Sequence, residues 1–227
     1  MGNINFEDWV DQEDRKNVRK WYRGLRRNMA KKHGLLLYKS TYLIQENRDI
    51  DLIGSICFDY TPSQLIVETA IQPLYERSEC IHFTCGARIN EYPPSVGHSL
   101  CGYKSMLDED MRLIEDRLEN QTLPLFDSMK TTEDFVWLLE NISKIPFRCR
   151  DNFLYTYIAY GYLKMEDYRK AEQKLVFLLE YIKQAGYTCD MSEPQELLRC
   201  VQDHNYDRVQ QILSENVAYT KAHCQLS

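Results

Sequence analysis

The most constraining feature of this sequence is a change in the spacing of its apolar residues. Between Leu35 and Asn90 they recur at a period of two, in four runs rich in β-branched and aromatic residues: LLLYKSTYLIQE, DLIGSICFDYT, QLIVETAIQPLY and CIHFTCGARI. ENRDID and YTPSQ separate three of the runs with turn-forming residues, and connections this short join antiparallel neighbours. Pro73 has no N–H to give a ladder, so it is expected at a strand end or edge. After Leu107 the period is helical almost to the end of the chain. Before the strands, Phe6, Trp9, Val10, Val18, Trp21, Tyr22, Leu25 and Met29 mark a helix that Asn3 or Asn5 would cap and Gly34 would stop. The expected fold is α+β. An N-terminal helix packs on a four-stranded, mainly antiparallel sheet (residues 1–105), and an all-helical region follows (residues 106–227).

The helical half carries its own punctuation. In TTEDFVWLLENIS, Thr131 precedes two acids in an arrangement close to a capping box. Ser192, with Pro194 just inside, marks another helix entry. YGYLKMEDYRKAEQKLV superposes on LRCVQDHNYDRVQQILS with a shift of 38. Leu163 then matches Val201, Tyr168 matches Tyr206, Ala171 matches Val209 and Leu175 matches Leu213. The first copy resembles a tetratricopeptide helix pair in its small and aromatic residues, its short acidic turn and its Tyr-x-x-Ala. A period of 38 exceeds the ~34 of that family, and one or two hairpins do not make a free-standing solenoid, so these helices must lean on other elements.

Charge is unevenly spread. The chain of 227 residues has a formal net charge of −6, yet residues 15–32 hold nine cations and no acid, which leaves −15 for the rest. An acidic body suits a basic protein partner, and long-range attraction would steer the two together. The basic helix offers the opposite reading, nucleic-acid or phosphate binding through Arg19, Arg23, Arg26 and Arg27 with interleaved Trp21 and Tyr22. The aromatics sit at core-like spacing, which favours a helix packed on the sheet with its cations paired to the acidic body.

Tyrosine is abundant at 16; Tyr155, Tyr157, Tyr160, Tyr162, Tyr168, Tyr181 and Tyr187 fall within 33 residues, and the first five crowd together most closely. Tyr offers rigid apolar area with a polar tip, so these five form a candidate partner-binding face, or else they fill seams between helices. Cys80, His82, His98 and Cys101, with Cys85 nearby, carry thiolate and imidazole ligands suited to zinc. No CxxC pair is present, and strand alternation would put Cys85 on the face opposite Cys80 and His82. A Cys/His nucleophile from the same set lacks any surrounding signature. The sequence contains no GxxxxGK[ST], GxGxxG, GxSxG or HExxH, so no enzyme class and no cofactor is expected. Eight Cys without an export signal, and no apolar run long enough to span a bilayer, predict a cytoplasmic protein with reduced thiols and no membrane association. EYPPSVGHSLCGYKS (residues 91–105) gathers Pro and Gly in one loop, a place where a pocket rim is expected.

WYRGLRRNMAKKHGLLLYKSTYLI, AIQPLYERSECIHFTCGARI and RLENQTLPLFD together resemble the bacterial domain-of-unknown-function family 4304 over about residues 6–140. The resemblance implies an α+β fold and a bacterial or phage origin, and it brings no reaction and no residue roles. Small bacterial domains of this sort resemble immunity proteins, which neutralise a partner toxin. The expectation is therefore a non-enzymatic protein-binding module.

Overall fold

The computed structural model describes residues 12–60, 65–89, 108–145 and 147–226. Asn3, Asn5 and the 91–105 loop lie outside them. The fold is α+β, with one antiparallel sheet of six strands in the order β1-β2-β3-β4-β5-β6, which is also chain order. The strands are β1 Leu36–Tyr38, β2 Tyr42–Asn47, β3 Leu52–Tyr60, β4 Leu65–Pro73, β5 Cys85–Arg88 and β6 Arg148–Cys149.

Six strands replace the four expected, for two reasons. The run at 35–46 breaks into a hairpin (Leu36 opposite Ile44, Tyr38 opposite Tyr42), with Lys39 turning the chain at φ 48°. A two-residue strand, β6, pairs with β5 and sets Cys85 opposite Cys149. The fourth run contributes only its end, β5. Between Cys80 and Thr84 the backbone is irregular, and a buried side chain replaces the ladder there. Gln72 donates to the Cys80 carbonyl (3.2 Å) and accepts from the His82 N–H (3.1 Å). Pro73 ends β4, as expected. Leu52 through Phe58 are all buried, so the central strand is covered on both faces and reads as a continuous apolar run.

The chain divides into two compact units. The first comprises residues 1–46, 54–70 and 87–127. Its long helix α1, Gln12–His33, buries Val18, Tyr22, Leu25 and Met29, a spacing that keeps one stripe on the core. The Tyr22 ring lies 6.1 Å from Phe58 and 5.5 Å from Tyr60. Gly34 stops α1 at φ +68°, as its position predicts. Helix α2, Asp108–Arg117, runs through a π turn, Leu118–Thr122, into α3, Leu123–Ser128. Pro124 explains the wide turn: it has no N–H, and its ring would clash with a regular preceding turn. Gly54 on β3 faces the Phe126 ring so closely that a Cβ there would stand 2.5–2.7 Å from ring carbons.

The second unit comprises residues 47–53, 71–86 and 128–227. It contains α4 Thr132–Glu140, α5 Asp151–Lys164, α6 Tyr168–Ala185, α7 Ser192–Gln202 and α8 Tyr206–Cys224. Thr131 and Asp134 form the full capping box of α4. At α7 the cap position is Met191 and not Ser192. Ser192 is the first helical residue, and its N–H donates to Asp190 Oδ1 at 2.9 Å.

The 38-residue repeat holds in atomic detail. Asp167 caps α6 by accepting from the Lys170 N–H, and Asn205 caps α8 by accepting from the Arg208 N–H. Glu166 and His204 turn the chain at φ 60° and 56°. The turn bonds Asp167 N–H to Tyr162 O and Asn205 N–H to Cys200 O are 3.0 and 2.8 Å. Each matched pair differs by 38 in number. The matched Tyr168 and Tyr206 rings stack on each other at 3.9 Å, with 7° between their planes.

Candidate functional site

Charge on α1 falls into two classes. Arg26 is buried and donates to the backbone carbonyls of Ser40 and, at 3.4 Å, Lys39, so it clamps the β1–β2 turn. Burial lowers its pKa from the ordinary arginine value. Arg26 is therefore removed from the expected anion-binding set. Lys32 and His33 meet Glu119 at 2.9 and 2.8 Å, the pairing with the acidic body that the sequence favoured. Trp21 donates to Glu115 at 2.7 Å, and Arg15 donates to the Tyr60 hydroxyl at 3.1 Å. Arg19, Arg23 and Arg27 are exposed and meet no acid among the described residues. With Lys16, Lys20 and Gly24 they line a groove of about 610 Å³ that includes no carboxylate among the described residues.

The tyrosines separate just as sharply. Tyr157 is 0% exposed, Tyr160 2% and Tyr162 6%, which withdraws them from any partner face. They fill seams. Tyr162 donates to Glu140 (3.1 Å), Tyr160 donates to Glu193 (2.9 Å), and Tyr157 packs on Phe153 and Phe135. DNFLYTYIAYGYLK is apolar around most of its circumference, the pattern of a helix buried on many sides. Tyr168 is half-buried in its stack with Tyr206.

Tyr155 belongs instead to an aromatic cluster with Phe177, Tyr181 and Tyr187. Its ring centroid lies 4.8 Å from Phe177 and 4.9 Å from Tyr181, and Tyr181 lies 6.1 Å from Tyr187. Phe177 and Tyr187 are each 47% exposed, and Val176 beside them is 37% exposed. The Tyr181 hydroxyl donates to Asp151 at 2.9 Å, which fixes the ring and raises its own pKa. The cluster spans α5, α6 and the residue after the α6 cap. Three of its members, Tyr155, Tyr181 and Tyr187, belong to the Tyr-rich stretch of the sequence, and Phe177 is the member that a count of tyrosines misses.

The Cys/His set is not assembled among the described residues. Cys80 is exposed, and His98 and Cys101 lie outside the description. No group of three His, Cys, Asp or Glu side chains with the spacing of a metal site occurs among the described residues. His82 Nδ1 lies 2.8 Å from Thr84 Oγ1, and its ring packs on Phe153 at 5.2 Å. Cys85 is fully buried, and its thiol pKa is pushed up by a hydrogen bond with Cys149 and by burial.

A further site escaped the sequence altogether. A cavity of about 280 Å³ in the second unit is lined by Glu76 and Arg77 after β4, Asn152, Phe153, Thr156 and Tyr160 of α5, and Ile182 of α6. Residues 189–191 and Glu193 and Pro194 of α7 complete it. Glu193 Oε1 accepts from the Tyr160 hydroxyl and from Asn216 Nδ2, both at 2.9 Å, and Asn216 also donates to the Tyr75 carbonyl at 3.2 Å. Burial pushes the Glu193 carboxyl above the ordinary glutamate range and Glu76 adds to the rise, while Tyr160 and Asn216 pull it down. Glu76 Oε2 is buried and has no hydrogen-bond donor among the described residues; His82 Nε2 stands 3.9 Å away. The lining residues come from positions 76, 160 and 193, with Asn216 behind, so no local motif announces them.

Among the described residues no helix is long and apolar enough to cross a membrane. Comparison with known families, with curated proteins and with solved structures finds no match to this chain.

Proposed function

We propose that this chain is a non-enzymatic protein-binding module whose acidic body docks a basic protein partner, in the manner of an immunity-like or defence-related neutraliser. The observation that carries the reading is the four-ring cluster Tyr155, Phe177, Tyr181 and Tyr187. Rigid aromatic rings with polar tips, preorganised by ring packing and by the Tyr181–Asp151 bond, are what interface hot spots are made of. The net charge of −15 outside residues 15–32 supplies attraction to a basic surface. The paired hairpins α5–α6 and α7–α8 are read as tetratricopeptide-like, an architecture that presents helix faces to protein ligands.

The test is capture of a partner from host lysate at low salt by wild-type protein and by a Phe177→Ala/Tyr187→Ala variant. Both residues are half-exposed, so the fold should survive their loss, and circular dichroism checks it. The expected result is one stoichiometric basic protein, retained by the wild type and lost by the variant. Equal capture by both removes the aromatic cluster from the reading, and absence of any protein partner removes the reading itself.

The groove of α1 cations, whose Arg19, Arg23 and Arg27 meet no acid among the described residues, favours a second reading, a nucleic-acid or phosphate binder. Arg19→Glu, Arg23→Glu and Arg27→Glu together should then abolish a gel shift with nucleic acid, and Arg26 must be left in place because it holds the β1–β2 turn. An unchanged shift sinks this alternative.

A further inference from the structure

The cavity between the β4 exit and α5, α6 and α7 has the chemistry of a receptor for one cationic side chain. Its walls include Phe153, Ile182 and Met191, and Glu76 and Glu193 are both among the lining residues. Three carboxylates, counting Asp190, face one guanidinium, Arg77, so the lining is net negative. Arg77 is itself engaged, its guanidinium carbon 3.6 Å from the centroid of the Tyr219 ring. Glu193 is held in place by Tyr160 and Asn216, both almost fully buried, so its carboxylate is positioned before anything arrives. Among the described residues Glu76 Oε2 is a buried acceptor without a hydrogen-bond donor, His82 Nε2 standing at 3.9 Å, and an unsatisfied buried carboxylate oxygen is costly to keep. At about 280 Å³ the cavity falls just under the ~300 Å³ at which pockets for drug-sized ligands begin, and it suits a single long side chain.

We propose that this pocket receives a Lys or Arg side chain of the basic protein partner, with the alkyl stem along Phe153, Ile182 and Met191 and the cationic head between Glu76 and Glu193. Lys and Arg carry that combination of apolar stem and multidentate cationic head. Arg fits best, because its planar fork can donate to two carboxylates at once. The proposal deepens the partner reading and rests on it, since it names the anchor by which a basic protein would be held.

Cys189 lies in the lining and is exposed, which supplies a direct readout, and Cys80, exposed and outside the lining, is an internal control. The probes are N-acetyl-arginine amide and N-acetyl-lysine amide, with N-acetyl-citrulline amide as the uncharged match for arginine. Alkylation of each cysteine is followed by peptide mass spectrometry on the full-length protein. The expected result is saturable slowing of Cys189 alkylation by a cationic amide, no change at Cys80, and no saturation with citrulline amide. Glu76→Gln should weaken the protection by about tenfold or more, the loss expected for one charge-assisted hydrogen bond. Equal effects of arginine and citrulline amides, or no saturable protection of Cys189, overturn the proposal, and that comparison needs no variant. A captured partner that binds Glu76→Gln as tightly as wild type also overturns the pocket while leaving the partner reading intact. Failure to capture any partner overturns the partner reading while the amide result still stands on its own.

Discussion

Asn216 holds together the polar network beneath the pocket, and its replacement should be among the costliest single changes in the second unit. Its side chain is 1% exposed, and its amide gives one hydrogen bond to Glu193 Oε1 and one to the Tyr75 carbonyl. Asn216→Ala removes a hydrogen bond to a carboxylate, worth roughly 1.5–3 kcal/mol, and strands a buried carbonyl at a cost of roughly 1–3 kcal/mol. The expected loss is therefore about 3 kcal/mol or more, or roughly 6–12 °C in Tm for a chain of this size. Asn216→Leu keeps the volume and removes both donors. It should cost nearly as much, because the polar contribution outweighs the cavity. The deficit should also depend on pH. Glu193 has a folded-state pKa above the ordinary 4.5, so its favourable contribution is complete below the unfolded value and is lost as pH rises through the folded value. Loss of the Asn216 donor lifts that pKa further, so the Asn216→Ala deficit should be smaller near pH 4.5 than at pH 7. Urea unfolding of the three proteins at both pH values measures this. A deficit under about 1 kcal/mol at pH 7, or one that shrinks from acid to neutral pH, would mean that the two Asn216 hydrogen bonds do not carry this stability.

Two further outcomes follow from packing and burial. Gly54→Ala should destabilise the first unit by about 1–3 kcal/mol through overpacking against Phe126, and Phe126→Leu in the same chain should restore part of the loss. A double-mutant cycle by chemical denaturation that shows simple additivity contradicts the close approach. Under native conditions a thiol reagent should modify Cys80 and Cys189 first, while Cys57, pushed up to about 11 by burial, and Cys85 stay protected until unfolding. Early labelling of Cys57 or Cys85 contradicts their burial.

Features governed by local chemistry were legible in the sequence. Gly34, Pro73 and the Thr131 capping box act through backbone stereochemistry within a few residues, and each sits where its type dictates. The 38-residue repeat was legible because matched apolar positions make the same turn twice, down to the caps Asp167 and Asn205. Features set by tertiary context were not. Lys39 adopts a left-handed turn without the usual Gly or Asn, and Arg26 secures that turn from another element. Gln72 replaces a strand ladder with its side chain, which shortens the fourth run to β5. Crowded tyrosines suggest a sticky surface, but the buried rings at 157, 160 and 162 show that a helix apolar on most sides belongs inside. The Glu76–Tyr160–Glu193–Asn216 arrangement draws on the segment after β4 and on α5, α7 and α8, and spacing along the chain carries no trace of it.

The proposed function turns on an acidic body that attracts and holds a basic protein. Its most direct test is the association rate of this chain with the captured partner, measured by stopped flow across a salt series. Electrostatic steering predicts a rate that falls steeply, by about tenfold or more, as ionic strength rises from about 0.01 M to 0.15 M and the screening length contracts from ~30 to ~8 Å. A rate that stays constant across the series contradicts the claim.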